Sequence, residues 1–176
     1  NITTAANDRY EARSLGSGNW IVTKYEKADG TAVVGGTGPT FSAYAAAGQT
    51  LTTSVEAKIN IDTEEWDTAA AFDTTNKRFT PLTAGYYQVN GRVSIQGAAA
   101  GIIRGYVYKN GALWKQGTTV TNYHNEYQGS VVSTLVFLNG STDYIELYAF
   151  QNSGGYKVVD PGASVTYFNA FLARAA

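Results

Sequence analysis

His124 is the only histidine in the 176-residue chain, and there is no cysteine. Any acid–base or metal chemistry would therefore start from carboxylates, hydroxyls and amides. A serine triad would have to recruit His124, but no Gly-x-Ser-x-Gly elbow accompanies it. Asp62, Glu64, Glu65, Asp67 and Asp73 form the main acidic cluster. Paired carboxylates of this kind serve glycoside hydrolysis, or hold a hard cation such as calcium. No Asp-x-Asp-x-Asp-Gly loop is present, and strand alternation separates Glu64 from Glu65, so the cluster reads as a solvated edge that discourages aggregation. The glycines make no phosphate loop. No catalytic set emerges, and the chain reads as a non-enzyme. Two clusters suit recognition instead. Asn122, Tyr123, His124 and Asn125 combine amides with two rings, while Tyr156, Lys157 and Asp160 add a ring and both charges. Sugar sites stack a face on an aromatic ring and hold hydroxyls through amides and carboxylates. The same residues also suit plain turns and loop closure, and both readings stand at this point.

Strands have to position these groups. Thirteen Tyr, and nineteen Gly against three Pro, favour strands and turns. Ala43 to Ala47 and Glu64 to Ala71 tolerate helix but are short and lack its periodicity. Arg9 to Leu15 and Asn19 to Lys27 read as a hairpin about Gly16-Ser17-Gly18, its second strand partly apolar on both faces. A two-stranded hairpin needs something to pack on. Gly35-Gly36-Thr37-Gly38-Pro39 marks a boundary, giving a segment 1–38 and a domain 39–176. Within the domain, strands are expected at Thr40 to Ala45, Val55 to Ile61, Ala71 to Phe79 (broken by a polar turn) and Tyr86 to Ile95. Others follow at Ile102 to Lys109, Ala112 to Lys115, Tyr127 to Leu138, Tyr144 to Gln151 and Ser164 to Ala173. Asn110-Gly111 is a strong hairpin signal. The expected class is an all-β antiparallel sandwich.

Charge narrows the partners. Thirteen basic and fourteen acidic residues leave a net charge of -1, which gives no field to steer nucleic acid. No apolar run reaches the roughly 20 residues of a membrane-spanning helix. The absence of cysteine suits a reducing compartment or stapling by oligomerisation. The Asn1 start and the lack of methionine read as a fragment or processed product.

Residues 39–174 resemble the C1q and tumour-necrosis-factor-like jelly roll. Ala71-Phe72-Asp73 through Phe79-Thr80-Pro81, then Ala84-Gly85-Tyr86-Tyr87, match its aromatic-Asp turn, Phe and Gly-x-Tyr signature. Phe41-Ser42-Ala43 resembles its opening strand. Tyr167-Phe168-Asn169-Ala170-Phe171-Leu172 resembles its closing strand, with Ala170 at a customary glycine. Asn110-Gly111 falls where the family usually has its mid-domain hairpin. The run Arg13-Ser14-Leu15-Gly16-Ser17-Gly18-Asn19-Trp20, with Tyr25 and Ala28-Asp29-Gly30, is similar to a segment of bacteriophage tail-fibre proteins. Together these resemble the C-terminal end of a tail fibre on a virion.

That resemblance implies a homotrimer with the sheet of first and last strands toward the threefold axis. Tyr86, Arg92 and Tyr167 are then the expected interface residues. Phe168 and Leu172 are expected in the core of one chain. The implied topology puts both chain ends and the turns at Asn139-Gly140-Ser141 and Asn110-Gly111 at the base. Loops 97–101, 117–126 and 152–162 lie at the far end, where they would contact a bacterial surface glycan or another cell-surface receptor. No cofactor is expected, although calcium, or a metal held by three copies of His124 on the axis, stays open. The alternatives are a structural trimerisation cap and a bacterial surface or spore-coat domain of the same fold.

Overall fold

A computed structural model describes residues 7–28, 38–96, 101–121 and 126–176. It divides into two compact units, Asn1–Thr37 and Gly38–Ala176, each considered by itself. In the first, β1 (Arg9–Gly16) pairs with β2 (Asn19–Glu26). Ser17 and Gly18 both have positive φ, as a tight hairpin turn requires. A register shift between Glu11 and Ala12 changes the expected facing. Strict alternation would put Tyr25 opposite Trp20 and Val22. The extra residue in β2 moves it onto their face, because directly paired residues share a side. Tyr10, Ala12 and Ser14 pair with Tyr25, Val22 and Trp20, while Arg9, Glu11 and Arg13 pair with Glu26, Lys24 and Ile21. The ribbon is apolar on one face and largely charged on the other.

The second unit is a sandwich of two antiparallel sheets with no helix among its described residues. Its strands are β3 (Thr40–Tyr44), β4 (Thr50–Leu51), β5 (Ala57–Lys58), β6 (Thr63–Asp67), β7 (Phe72–Asp73), β8 (Arg78–Phe79) and β9 (Gly85–Ile95). They continue as β10 (Ile102–Lys109), β11 (Ala112–Thr121), β12 (Gln128–Leu138), β13 (Ile145–Gln151), β14 (Lys157–Val158) and β15 (Tyr167–Ala175). One sheet runs β12-β9-β15-β3-β6 and the other β11-β10-β13-β8-β7, with β5 also on β13. A small β4–β14 pair sits apart from both. The expected all-β jelly roll is the observed fold.

The family landmarks meet in one aromatic cluster, which accounts for their spacing. Phe41 stacks on Phe72 and Phe79 with centroids 4.8 and 4.4 Å apart, and meets Phe168 edge-on at 5.4 Å. Phe79 in turn meets Tyr87 edge-on at 5.6 Å. Tyr87 is fully buried, donates its hydroxyl to the Thr83 carbonyl at 2.8 Å, and has its pKa raised to about 12 by desolvation. Between the Phe72 and Phe79 positions, Asp73 accepts the amides of Thr75 and Asn76, closing the turn that brings the two rings together.

Register fixes which end of the sandwich each loop occupies. Gly85 pairs with both Ala175 and Leu138, and the Ala176 amide donates to the Ala84 carbonyl. Thr40 pairs with Phe171, so both ends of this unit lie together. The two tight turns join them there. Asn110 donates to Asp143 and accepts the Tyr144 amide, while Asp143 also takes Lys109 at 2.9 Å. Asn110 and Gly111 both have positive φ, the requirement of a two-residue hairpin turn. At the opposite end lie the C-terminal ends of β3, β9, β11 and β13.

Several expected elements differ. The strand expected over Val55 to Ile61 shrinks to β5. Past Ile59, whose amide reaches the Leu147 carbonyl, the chain doubles back so that the Ile61 amide bonds the Ile59 carbonyl. Ile59 and Ile61 stay buried while Val55 is exposed. The segment Glu64 to Ala71 supplies an unexpected strand, β6, which completes the edge beside β3. β11 extends to Thr121, so the loop expected from Gly117 begins later. Gly117 allows this extension: a Cβ there would sit 2.3 Å from the Val131 carbonyl oxygen, a contact between β11 and β12 that only glycine permits.

Candidate functional site

At the far end, Gln151 organises the loop that carries Tyr156. Gln151 is fully buried, and its Nε2 donates to the carbonyls of Leu51 and Gly155. Its Oε1 accepts the Ser153 amide and hydroxyl. The loop is thus hung on a core side chain, and β14 is held against β4 through the Lys157–Leu51 and Val158–Thr50 pairs. Tyr156 projects from this support with 74% of its surface exposed. Lys157 follows it on β14. Asp160 is turned inward: its amide donates to the Ser94 carbonyl, its carbonyl accepts the Thr166 hydroxyl, and Ser94 Oγ donates to its carboxylate at 3.4 Å. Asp160 therefore holds the loop to β9 and leaves Tyr156 as the outward ring, with Lys157 beside it partly buried. Asn122, Tyr123, His124 and Asn125 lie outside the described residues. They join β11 to β12, between Thr121 and the exposed Tyr127.

The outer face of the five-stranded sheet gathers Tyr86, Arg92 and Tyr167. Tyr86 is half exposed with its ring 5.4 Å from Phe137. Arg92 pairs directly with Tyr167, and its Nη1 donates to the Val165 carbonyl at 2.6 Å. Reading the strands singly missed the neighbours that make this face apolar. Val131, Leu135, Phe137, Phe171 and Trp66 are exposed on it, Leu135 by 54%. The missed signal was in Tyr127 to Leu138, where Val131, Leu135 and Phe137 alternate with Val132, Val136 and Leu138. A strand apolar on both faces expects cover on both.

Most carboxylates of the acidic cluster are engaged in local hydrogen bonds. Asp62 accepts the Ala46 amide and Thr63 hydroxyl, Asp67 the amides of Ala69 and Phe72, Asp73 the amides of Thr75 and Asn76, and Glu65 the Ser42 hydroxyl. The carboxylates act as caps for turns around an edge strand. Among the described residues no group of three or more His, Cys, Asp or Glu is placed to hold a metal. Among the described residues the displaced pKa values all move away from neutrality. Burial pushes Tyr148 up, and burial with a hydrogen bond to Glu56 pushes Tyr108 up. Hydrogen bonds from Asn76 hold Asp73 down, and those from Asn110 and Lys109 hold Asp143 down. General acid–base work calls for the opposite displacement.

No protein-family model matches the chain, and no curated protein matches it. Solved structures do. The Eiger TNF of S. frugiperda superposes with a TM-score of 0.63 at 10% identity, covering 80% of this chain and 95% of that one. The globular domain of zebrafish complement 1qA gives 0.56 at 15%, covering 78% and 99%. Murine APRIL gives 0.58 at 9%, covering 76% and 97%. At such identities the likeness shows the fold, and that fold is the C1q/TNF-like jelly roll.

Proposed function

We propose that the chain is the receptor-binding end of a bacteriophage tail fibre: a non-enzymatic homotrimer, exposed on the virion, whose far-end loops hold a bacterial surface glycan. The observation that carries this reading is the polarity of the sandwich. Both ends of the unit and its tight turns lie at one end, while a core-anchored, outward-facing Tyr156 lies at the other. A fibre entering at the base would present that ring to a surface. The outer face of β12-β9-β15-β3-β6, apolar and containing Tyr86, Arg92 and Tyr167, supplies the surface for threefold packing. The resemblance of Arg13 to Trp20 to tail-fibre segments supplies the biological setting. Three weak sugar sites on one rigid head gain by avidity what each lacks alone.

Alanine replacements at Tyr123 and Tyr156 test the reading. Binding of the purified chain to host cells, and to an array of bacterial glycans, is expected to fall at least about tenfold while oligomeric mass stays unchanged. Full binding by both variants would remove these two rings from recognition, and a wild-type chain that binds neither cells nor glycans would leave a structural cap for a fibre as the surviving function.

A further inference from the structure

Between the apolar rows of the five-stranded sheet's outer face runs one polar row in cross-strand register. Ser133 pairs with Asn90, Asn90 with Asn169, and Asn169 with Ser42. Most of the row's hydrogen bonds close within one chain. Gln88 Nε2 donates to Ser133 Oγ at 2.9 Å, and Ser133 Oγ donates to Asn90 Oδ1 at 2.9 Å. Asn90 Nδ2 donates to Asn169 Oδ1 at 3.1 Å, and Ser42 Oγ donates to Glu65 at 2.7 Å. On one side lie Leu135, Phe137, Tyr86 and Phe171, and on the other Val131 and Tyr167.

On a wet surface water would satisfy these amides, and ordering each side chain costs up to roughly 2 kcal/mol of rotamer freedom. A row satisfied inside the chain can instead be covered without stranding polar groups. What it leaves over is self-complementary. Among the described residues Asn169 Nδ2 has no acceptor and Gln88 Oε1 no donor. The charges are arranged likewise. Exposed Glu65, which takes the Ser42 hydroxyl, lies on edge strand β6, and exposed Lys115 lies beside Trp114, whose indole caps the Leu135 carbonyl on the opposite edge strand. A donor matched to an acceptor, and a carboxylate on one edge to an ammonium on the other, suit head-to-tail contact between copies, which closes a ring where the rotation between copies closes.

We propose that Ser133, Asn90, Asn169 and Ser42 form a polar layer buried between copies of this chain, which sets the register and number of copies in the assembly. This rests on reading the head as a trimer. In an otherwise apolar contact, any shifted packing would set these amides against hydrocarbon, so one layer selects one arrangement at some cost in stability.

Light scattering over a concentration series on the whole chain tests it with two variants. Asn169→Asp keeps the shape and the acceptor for Asn90 but puts one carboxylate per copy into the layer. At pH 7 its assembly is expected to dissociate at chain concentrations at least about tenfold above wild type. The difference from wild type should shrink on acidification below about pH 4, where the carboxyl takes up its proton. The pair Asn90→Leu with Asn169→Leu is expected to associate but as a mixture of masses. An Asn169→Asp chain that dissociates like wild type, or a leucine pair giving one three-chain species, overturns the layer. A wild-type monomer would instead overturn the trimer reading beneath it.

Discussion

Phe41 touches Phe72, Phe79 and Phe168, rings brought together from four separate strands, so its removal opens a hole that no single loop can fill. Phe41→Ala is expected to cost about 3–5 kcal/mol, a large part of a domain's usual stability, as read from urea unfolding. Asp143 acts at the base through charge. Its pKa is lowered in the folded chain by Asn110 and then Lys109. Its contribution is therefore fully present above the unfolded value of about 3.9 and is lost as pH falls through the lower folded value. Asp143→Asn is expected to lower the urea midpoint at pH 6, with the gap to wild type closing below about pH 4. An unchanged gap across that range would remove Asp143 from the account. The aromatic cluster was legible because Phe72, Asp73, Phe79 and Tyr87 lie within one short motif. Asp160 was not legible as a scaffold tie, since its partner Ser94 lies 66 residues away and only the fold brings them together.

Among the elements, β9 and β11 mark the two extremes of legibility. In β9, Tyr87, Val89, Val93 and Ile95 alternate with polar residues, and each of the four is buried as that pattern expects. β11 reads as less than half its length, because Gly117 resembles a turn while it serves a close approach to Val131. Gly117→Ala is accordingly expected to destabilise the head by at least about 2 kcal/mol, measured by thermal unfolding, where a mere turn glycine would lose far less. β6 escaped a reading by strand signals because an edge strand rich in acids has little apolar alternation to show. The loop after β13 gave no sign of its dependence on Gln151, which bonds Leu51 across the fold and ties Ser153 and Gly155 of the loop to itself. Gln151→Leu is expected to free that loop and weaken cell binding severalfold, with the oligomeric mass retained.

At the scale of the whole molecule, the sandwich has a direction: an anchored base, a far end carrying Tyr156, and one sheet face too apolar to be left wet. The fold was legible from landmarks in their right order, and the solved jelly rolls superpose over most of the chain. The apolar sheet face emerged only when strands far apart in sequence were placed side by side. These features support the proposed self-association through the face of β12, β9, β15, β3 and β6. The most direct test is the solution mass of the purified chain by light scattering. A single species at three times the 18.8 kDa chain mass is the expected result. A species that stays at 18.8 kDa over the micromolar range would contradict the trimeric head.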